Sequence, residues 1–365
     1  MKEIQVCSRC VMDNTSDNSI VFDDKGHCNY CTKALSEINT TVYFPNELGQ
    51  KKLDEMISKI KHDNKDKPYD CVMGISGGLD SSYLAYLGHK WGLRILAVHI
   101  DDGYDTEISK SNIKKLCDAA KIELRTITPD PVQFNNLILA YMKAGVPNLA
   151  IPQDNILFAF LYEEIKRERL KYFLSGGNFA LECVLQQEHV FNSMDIVNIK
   201  DIHRKYGTEP INKLKFLSSY KKYRYIKTGK VIQYRPLNYI DYNRDRAFKE
   251  LYDFCGFEYY GSKHLENILT AFVQLYWFPK KFGVDKRKSH LSSMIVSGQM
   301  TRDEALAELE KPICDERQMN EYIKIIKKQM HVSDAEFDKV LSTPTHEHSD
   351  YKTDKLGSFL RKIIG

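Results

Sequence analysis

The sequence has no apolar run that approaches the roughly 20 residues a helix needs to cross a membrane. Its first residues, MKEIQVCSRC, lack the apolar core of a secretory signal peptide. Neither an internal repeat nor a low-complexity linker interrupts the chain. We therefore expect a cytoplasmic protein that does not enter a membrane.

The excess of positive charge is also small. The chain has 365 residues, and 53 Lys and Arg against 49 Asp and Glu give a formal net charge of +4. This is weaker than a dedicated nucleic-acid-binding protein usually shows, so the composition argues against a nucleic-acid partner. It is compatible with a small substrate rich in phosphate. A hydrophobic content of 42% supports one large domain or two modest ones.

Nine cysteines are an odd number, and in a reducing compartment they do not indicate a disulfide framework. Two C-x2-C pairs lie near the start of the chain, and their spacing is typical of a zinc ribbon. Two such turns can point four thiolates at one ion and form a closed, structural zinc site. An iron–sulfur cluster and four unconnected thiols are the open alternatives. The predicted ligands are Cys7, Cys10, Cys28 and Cys31.

Short apolar segments alternate with amphipathic segments over much of the chain, which predicts a parallel α/β sheet. The predicted helices cover 46–66, 81–92, 108–122 and 154–171. The predicted strands lie in 69–75, 94–102, 123–130, 172–182 and 231–242. From about residue 245 the pattern is helical, with a closing helix expected in 355–364.

The most informative segment is Ser76-Gly77-Gly78-Leu79-Asp80-Ser81-Ser82, between a predicted strand and a predicted helix. The two glycines let the backbone turn tightly and approach a ligand closely. The next amides begin a helix, where the partial positive charge favours an anion. The three serines add hydroxyl donors, and Asp80 could cap the helix or hold Mg²⁺. The segment therefore predicts a phosphate-binding loop; an ordinary Gly-Ser turn is the alternative.

This loop lacks the lysine of a Walker A motif and the G-x-G-x-x-G of a dinucleotide-binding fold. The pattern SGGxDS resembles the PP-loop of the ATP pyrophosphatases. That resemblance implies a HUP-type parallel sheet. It also implies an ATP site that cleaves between the α and β phosphates, so that AMP is transferred to a substrate oxygen.

Later segments extend the resemblance to the PP-loop proteins. It implies that His99, Ile100 and Asp101 lie near the adenosine, and that Gly176 and Gly177 form a second glycine motif near the phosphates. ATP would then be bound by Ser76, Gly77, Gly78, Asp80, Ser81, Ser82, His99, Ile100, Asp101, Gly176 and Gly177. Glu182 could reach a metal or the substrate. The segment Arg235-Pro236-Leu237 resembles an element of the tRNA-modifying branch.

The run from Lys281 to Pro312 resembles the N-acetyl sugar amidotransferases of bacterial surface-polysaccharide pathways. The resemblance covers nearly the whole chain. It implies that an acetamido group on a sugar becomes an acetamidino group, with ATP and Mg²⁺, for O-antigen or flagellar glycan precursors. The sugar could be nucleotide-linked or free. The sequence has no glutaminase motif, so the resemblance implies ammonia from a glutaminase subunit and a cyclase-like channel subunit.

A cluster of cations, Lys280 to His290, adds candidates for the phosphates or an anionic sugar. We predict Asp80, Glu182, Lys286 and Arg287 as catalytic, and Asn178, Cys183, Arg235, Lys281 and Lys288 as substrate-binding. A solvated basic face is the alternative for the cations. Thr301 and Glu304 have the spacing of a capping box and predict a helix start.

We predict a zinc-ribbon-like module at 1–45, a nucleotide-binding domain at 46–245 and a helical C-terminal region at 246–365. Two other functions remain open. The first is a PP-loop tRNA thiolase, which resembles this chain in its N-terminal cysteines and loop, although Cys183 has no second cysteine beside it. The second is an adenine-nucleotide sensor that binds ATP without turnover.

Overall fold

A parallel sheet of five strands is the centre of the fold. The computed structural model describes residues 3–261, 265–357 and 359. The strand order is β3-β2-β1-β4-β5, and each pair is parallel. The strands are β1 (Cys71–Gly74), β2 (Ile95–Ile100), β3 (Glu123–Ile127), β4 (Tyr172–Leu174) and β5 (Ile232–Tyr234). All five lie in the predicted segments, so the predicted α/β parallel sheet is confirmed.

The two faces of the sheet are buried by different parts of the chain. Because successive strand residues point to opposite faces, Met73 joins one hydrophobic cluster while its neighbour Val72 joins another. Ala97 and Leu96 on β2 divide in the same way. Burial on both faces explains why these strands read as continuous apolar runs and not as an alternation.

The helices before residue 256 pack on the two faces of this sheet or on one another. They are α1 (Asn29–Glu37), α2 (Glu47–Asp63), α3 (Leu79–Lys90), α4 (Glu107–Ala120), α5 (Pro131–Lys143), α6 (Ile151–Arg167), α7 (Phe179–Glu182), α8 (Ile196–Tyr206), α9 (Ser219–Lys227) and α10 (Arg244–Cys255). The sequence patterns predicted α2, α3, α4 and α6 but not α5 or α9. Helix α5 is buried on most sides and has little apolar periodicity, whereas α9 buries none of its residues fully.

The region after residue 265 is helical, as predicted. It contains α11 (Ile268–Phe272), a π-helical segment (Val273–Phe282), α12 (Arg287–Val296), α13 (Arg302–Glu310), α14 (Glu316–Met330) and α15 (Asp334–Ser342). The predicted capping box of Thr301 and Glu304 is present at the start of α13. Of the predicted closing helix, 355–357 and 359 are helical, and the rest lies outside the described residues.

Hydrophobic packing crosses the predicted domain limits. One cluster joins the four N-terminal cysteines to the sheet and α3, and another joins α5 and α8 to α14. The limits at 45/46 and 245/246 therefore stay predictions. Among the described residues, no helix is both long and apolar enough to cross a membrane.

Candidate active site

Two glycine loops meet at the point where the strand order of the sheet reverses. From β1 the chain continues to β2 on one side, whereas β4 and β5 lie on the other side of β1. Ligands of open parallel sheets bind in the crevice at the carboxyl ends of the strands, at such a switch point. The loop that begins at Ser76 follows β1, and the loop Ser175-Gly176-Gly177 follows β4. The topology thus places both predicted phosphate motifs in one crevice.

The geometry of the first loop requires glycine. Gly77 has φ +77°, and a β-carbon there would lie 2.6 Å from the carbonyl oxygen of Ser109. Gly78 is the N-cap of α3 without a side-chain cap, so the first amides of α3 need other partners. The Leu79 amide donates to the Tyr260 hydroxyl at 2.8 Å. The Ser76 amide donates to the Ser81 hydroxyl at 3.3 Å.

The second glycine loop lies directly against the first. A β-carbon on Gly176 would be 2.9 Å from the Ser81 nitrogen and 3.0 Å from its α-carbon. Since these are backbone atoms at the start of a helix, neither side can yield without moving a loop. Gly176 therefore sets the spacing between the two halves of the crevice.

The crevice contains two cavities that share part of their walls. The smaller has a volume of about 250 Å³ and the larger about 470 Å³. Ser76, Ser81, Gly176 and Glu266 line both. Three carboxylates face the smaller one, those of Asp80, Glu182 and Glu266, together with Arg244 and His290. The larger one has the size of a small-molecule site and reaches His99, Ile100 and Asp154.

His99 ties the floor of the larger cavity to the first loop. Its Nδ1 lies 2.9 Å from the Ile75 carbonyl oxygen, and its Nε2 lies 2.9 Å from the Asp105 carboxylate. Burial alone would lower the pKa of His99, but the Asp105 carboxylate and the Ile75 carbonyl outweigh it and raise the pKa. With an acceptor at each ring nitrogen, the doubly protonated ring is favoured.

Two further carboxyl groups in the larger cavity have altered acidity. Burial raises the pKa of Asp154 to about 6. Burial and the nearby Asp105 raise the pKa of Asp102 to about 6, although bonds from the Tyr104 amide and from Gln153 and Asn267 oppose the shift. Both groups therefore keep their proton to a higher pH than an exposed aspartate does, but they are mostly ionised at neutral pH.

Replacing Asp154 with asparagine is expected to stabilise the protein at pH 7.5 by about 1–3 kcal/mol. A carboxyl group whose pKa is raised by folding favours the folded state only while it is protonated. Its contribution to stability is therefore complete below the unfolded pKa of about 4 and is lost as the pH rises through about 6. The gain should therefore vanish near pH 4. Urea unfolding at several pH values measures it. Asp130→Asn is the control, because Lys213 lowers the pKa of Asp130. This substitution should destabilise the protein at pH 7.5 and should have little effect at low pH, where Asp130 is protonated. A gain of equal size at every pH would contradict the prediction.

The predicted cations of the 281–288 run lie outside both cavities. The Lys281 ammonium donates to the carbonyl oxygens of Val340, Leu341 and Thr343. The Lys288 ammonium pairs with Asp13, and that of the half-buried Lys286 lies over the Phe278 ring.

Arg287 pairs with Asp285 and also donates to carbonyls at the end of α13, among them those of Glu308 and Lys311. These cations, which the sequence suggested for phosphate binding, therefore contact acidic groups and helix ends, and they connect the C-terminal helices.

The remaining predicted residues divide between the crevice and its supports. Glu182 faces the smaller cavity, and Arg235 Nε lies 3.9 Å from the position a Gly177 β-carbon would take. Asn178 caps α7 and donates to the Gly176 carbonyl, so it connects the second glycine loop to the start of α7. The Asp101 carboxylate accepts from the Gly103 amide and does not line the larger cavity. Cys183 and the buried Ser82 line neither cavity.

Several residues of the crevice were not predicted from the sequence. The Tyr242 hydroxyl donates to the Asp80 carboxylate at 2.5 Å, and Tyr260 covers the first turn of α3. Arg244, Phe248 and Glu266 also line the smaller cavity. Tyr242 lies within the predicted strand-and-loop segment 231–242, but no local signal distinguished the tyrosines or the arginine from other surface residues.

The four N-terminal cysteines form a compact centre. The sulfur atoms of Cys7 and Cys31 are 3.8 Å apart, those of Cys10 and Cys28 3.5 Å, and those of Cys28 and Cys31 3.6 Å. Four sulfurs around one ion at ~2.3 Å give tetrahedral edges of about 3.8 Å, which these distances match. All four are buried and can hold a metal. The Arg302 guanidinium fixes this centre to α13 through the carbonyls of Cys7 and Cys10.

A loop of sequence SGGLDSS therefore lies at the switch point of a parallel α/β sheet, opposed by a second glycine loop, which is the arrangement expected from the resemblance to PP-loop proteins. The C-terminal part of the chain, residues 266–363, matches the family described as LPS biosynthesis protein WbpG-like, C-terminal domain. The expected resemblance to proteins of lipopolysaccharide biosynthesis is thus confirmed for this part of the chain, and the match does not address the sugar chemistry.

Three similar proteins extend this comparison. An uncharacterized protein of Methanocaldococcus jannaschii is 22% identical over 84% of this chain and 93% of its own length. The tRNA-specific 2-thiouridylase MnmA 2 of Fusobacterium nucleatum is 29% identical over 30% of this chain, which is about a third of its own length (34%). The solved NMN synthetase of Francisella tularensis aligns with 78% of this chain and 97% of its own at 13% identity and a TM-score of 0.39.

Proposed function

We propose that the chain is an ATP-dependent amidotransferase that converts an acetamido group of a sugar to an acetamidino group, in a pathway of surface-polysaccharide precursors. The observation that carries the proposal is the junction of the two cavities at the glycine loops, next to a WbpG-like C-terminal domain. A nucleoside would occupy the larger cavity and the pyrophosphate the smaller one. The α-phosphate would then lie where both cavities share their walls.

The sugar would bind in a groove that adjoins the smaller cavity, and its acetamido oxygen would reach the α-phosphorus from the side opposite the pyrophosphate. Arg244 and Phe248 line this cavity and also an adjoining groove of about 690 Å³ that includes Tyr252 and Tyr259. A guanidinium beside aromatic rings suits a sugar that carries a carboxylate, because the cation binds the acid and the rings cover the apolar sugar face. Arg244 therefore replaces Lys281 and Lys288 as our candidate for the substrate anion.

The reaction follows from this placement. The acetamido oxygen attacks the α-phosphorus, an O–P bond forms, and the bond to the β-phosphate breaks. The loop amides and the hydroxyls of Ser76 and Ser81 hold the departing pyrophosphate. Ammonia then adds to the imidate carbon, AMP leaves with the electron pair of the C–O bond, and Glu182 accepts a proton.

Two metal sites belong to the proposal. Asp80 and Glu266 offer the hard oxygen ligands that Mg²⁺ prefers, and the ion would supply charge neutralisation for the pyrophosphate. The cysteine centre would hold one structural Zn²⁺, because its short sulfur–sulfur distances suit a single ion better than a cluster in which each cysteine binds its own iron.

Ammonia would come from a glutaminase subunit through a cyclase-like channel subunit, since the sequence has no glutaminase motif. We also propose a cytoplasmic location, where ATP and sugar precursors are available.

Product analysis tests the proposal. The purified chain would be mixed with ATP, Mg²⁺, ammonium chloride and a panel of di-N-acetylated nucleotide sugars and nonulosonic acids. We expect AMP and pyrophosphate with one sugar only, and a mass change of that sugar equal to replacement of O by NH. AMP formed only with unmodified tRNA and a sulfur source would identify a thiolase. Binding of ATP without turnover under all conditions would identify a sensor.

The thiolase is the second candidate, because a tRNA-specific thiouridylase is among the similar proteins. Such chemistry needs a reactive thiolate. Cys183 is poorly suited, since burial raises its pKa to about 12 and its sulfur contacts the Ser293 carbonyl.

We therefore expect Cys183→Ala to keep at least about half of the AMP-forming rate, with the loss limited to the packing of one small side chain. Initial rates at equal amounts of folded protein measure this. Cys255→Ala, which removes another half-buried thiol, is the matched control. A loss of 100-fold or more in Cys183→Ala alone would favour a catalytic cysteine.

A further inference from the structure

A second concave site lies at the opposite edge of the sheet from the glycine loops. It is a cavity of about 620 Å³ between the end of α6, the segment before β4 and helix α9. Leu170 and Lys171 directly precede β4, and Lys230 and Val231 directly precede β5. Because the strands are parallel, this cavity is at their amino ends and is separate from the crevice.

The walls of this cavity carry only positive charge. Six cations line it: Lys166, Arg169, Lys171, Lys221, Arg224 and Lys230. Lys171 pairs with Asp63 outside the cavity at 2.6 Å. Within the part of the chain that the structure describes, the other five form no ion pair, and no carboxylate lines the cavity. In a chain whose net charge is only +4, such a concentration calls for an external anion.

The floor of the cavity is apolar and aromatic. It consists of Tyr162, Ile165, Leu170, Tyr225 and Val231. The rings of Tyr162 and Tyr225 meet edge to face at 5.6 Å between centroids. A floor of this kind can cover an apolar or planar group, which a site for inorganic phosphate alone would not need.

The Tyr162 hydroxyl is the observation that distinguishes this cavity from an ordinary solvated basic face. The residue is 4% exposed, and its buried hydroxyl has no hydrogen-bond partner among the described residues. A buried polar group without a partner is costly, and buried tyrosines usually find one. The hydroxyl is closed to solvent in this structure, so a ligand oxygen that accepts from it must displace part of the cavity floor as it binds.

We propose that this cavity, formed by α6, α9 and the segments before β4 and β5, binds a ligand that carries at least two phosphates, such as a nucleoside diphosphate. The exposed cations bind the phosphates, the tyrosine floor covers the rest of the ligand, and the Tyr162 hydroxyl donates to an oxygen of it. Helix α6 also lines the larger cavity of the crevice, so the two sites share one rigid element.

The test uses the full chain and UDP, inorganic pyrophosphate and phosphatidylcholine vesicles with or without phosphatidic acid as probes. Calorimetry would compare the wild type with Lys221→Glu/Arg224→Glu, which changes two exposed cations of α9. We expect UDP binding to weaken by about tenfold or more, because two attractive charges become repulsive. Lys324→Glu/Lys328→Glu on α14 makes the same change in charge elsewhere and should leave UDP binding within about twofold.

Tyr162→Phe separates a ligand contact from a structural role. Without ligand, it should melt at the same temperature as the wild type or higher, since the lost hydroxyl makes no bond. It should nevertheless bind UDP about threefold more weakly.

Loss of UDP binding in the double variant supports the proposal. Loss confined to vesicles with phosphatidic acid, which carries a single phosphate, would show only attraction to an anionic surface and would overturn it. Unchanged binding of both in the double variant would overturn the proposal. The proposal would also be overturned if the double variant lost binding to a single-stranded RNA oligonucleotide but bound UDP as the wild type does, because the surface would then serve a nucleic acid. AMP formation in the crevice is read separately and should not change in the double variant.

Discussion

Replacing Gly176 with alanine is expected to lower kcat/KM for AMP formation by about 100-fold while the chain stays folded. The added β-carbon would lie 2.9 Å from the Ser81 nitrogen and 3.0 Å from its α-carbon, both in the backbone of the first turn of α3. Such contacts cannot be relieved by a side-chain rotation, so the second glycine loop must move away from the first. Groups on the two loops would then no longer surround the same phosphate.

The control must separate this displacement from a general loss of stability. Gly256 has φ +66° at the end of α10, and a β-carbon there would meet nothing within 4 Å. Gly256→Ala therefore introduces strain of about 1–2 kcal/mol without touching the crevice. At a temperature where both variants are folded, Gly256→Ala should keep its activity. Wild-type activity in Gly176→Ala would show that the two loops do not act on one ligand.

The two glycine loops could be predicted because their signal is local. A strand that leads into glycines and serines, followed by a helix, is a contiguous pattern, and a parallel sheet then brings Gly77 and Gly176 to the same edge. The contact between Gly176 and Ser81 could not be read from the sequence, since it depends on the order β2-β1-β4. The expectation that the two loops bind phosphate came from the resemblance, and their contact came from the strand order.

The cations of the C-terminal run show the limit of reading charge from sequence. A cluster of Lys and Arg looks the same whether its partners are phosphates or backbone carbonyls. Arg287 meets carbonyls of residues 308–312, and Lys281 meets those of 340–343. These acceptors become available only where helices end, which is a tertiary property. Arg244 stands in a segment of mixed charge, with Asp245 and Arg246 directly after it, yet it lines the crevice.

The cysteine centre packs against the elements that carry the first glycine loop, a contact that the sequence did not predict. Its four cysteines belong to the same hydrophobic cluster as Met73 on β1 and Leu79 at the start of α3. Arg302 adds a second attachment, from the start of α13 to the carbonyls of Cys7 and Cys10. The centre therefore supports the sheet that carries the loops and the C-terminal helices beside it.

Cys10→Ser is consequently expected to reduce the bound metal from about one ion per chain to nearly none and to lower Tm by about 10 °C or more. Serine cannot replace the thiolate, and the other three sulfurs would be left buried without the ion that balances their charge. Metal analysis and thermal unfolding measure the two effects together.

Cys255→Ser is the matched control, because Cys255 is half-buried and donates only to the Leu251 carbonyl, so both metal content and Tm should stay near those of the wild type. The spectrum of the purified protein separates the two candidate metals, since a zinc site is colourless and an iron–sulfur cluster absorbs visible light. A Cys10→Ser protein that keeps a full equivalent of metal would mean that the ion is bound elsewhere. Loss of metal without loss of Tm would mean that the metal does not stabilise the fold.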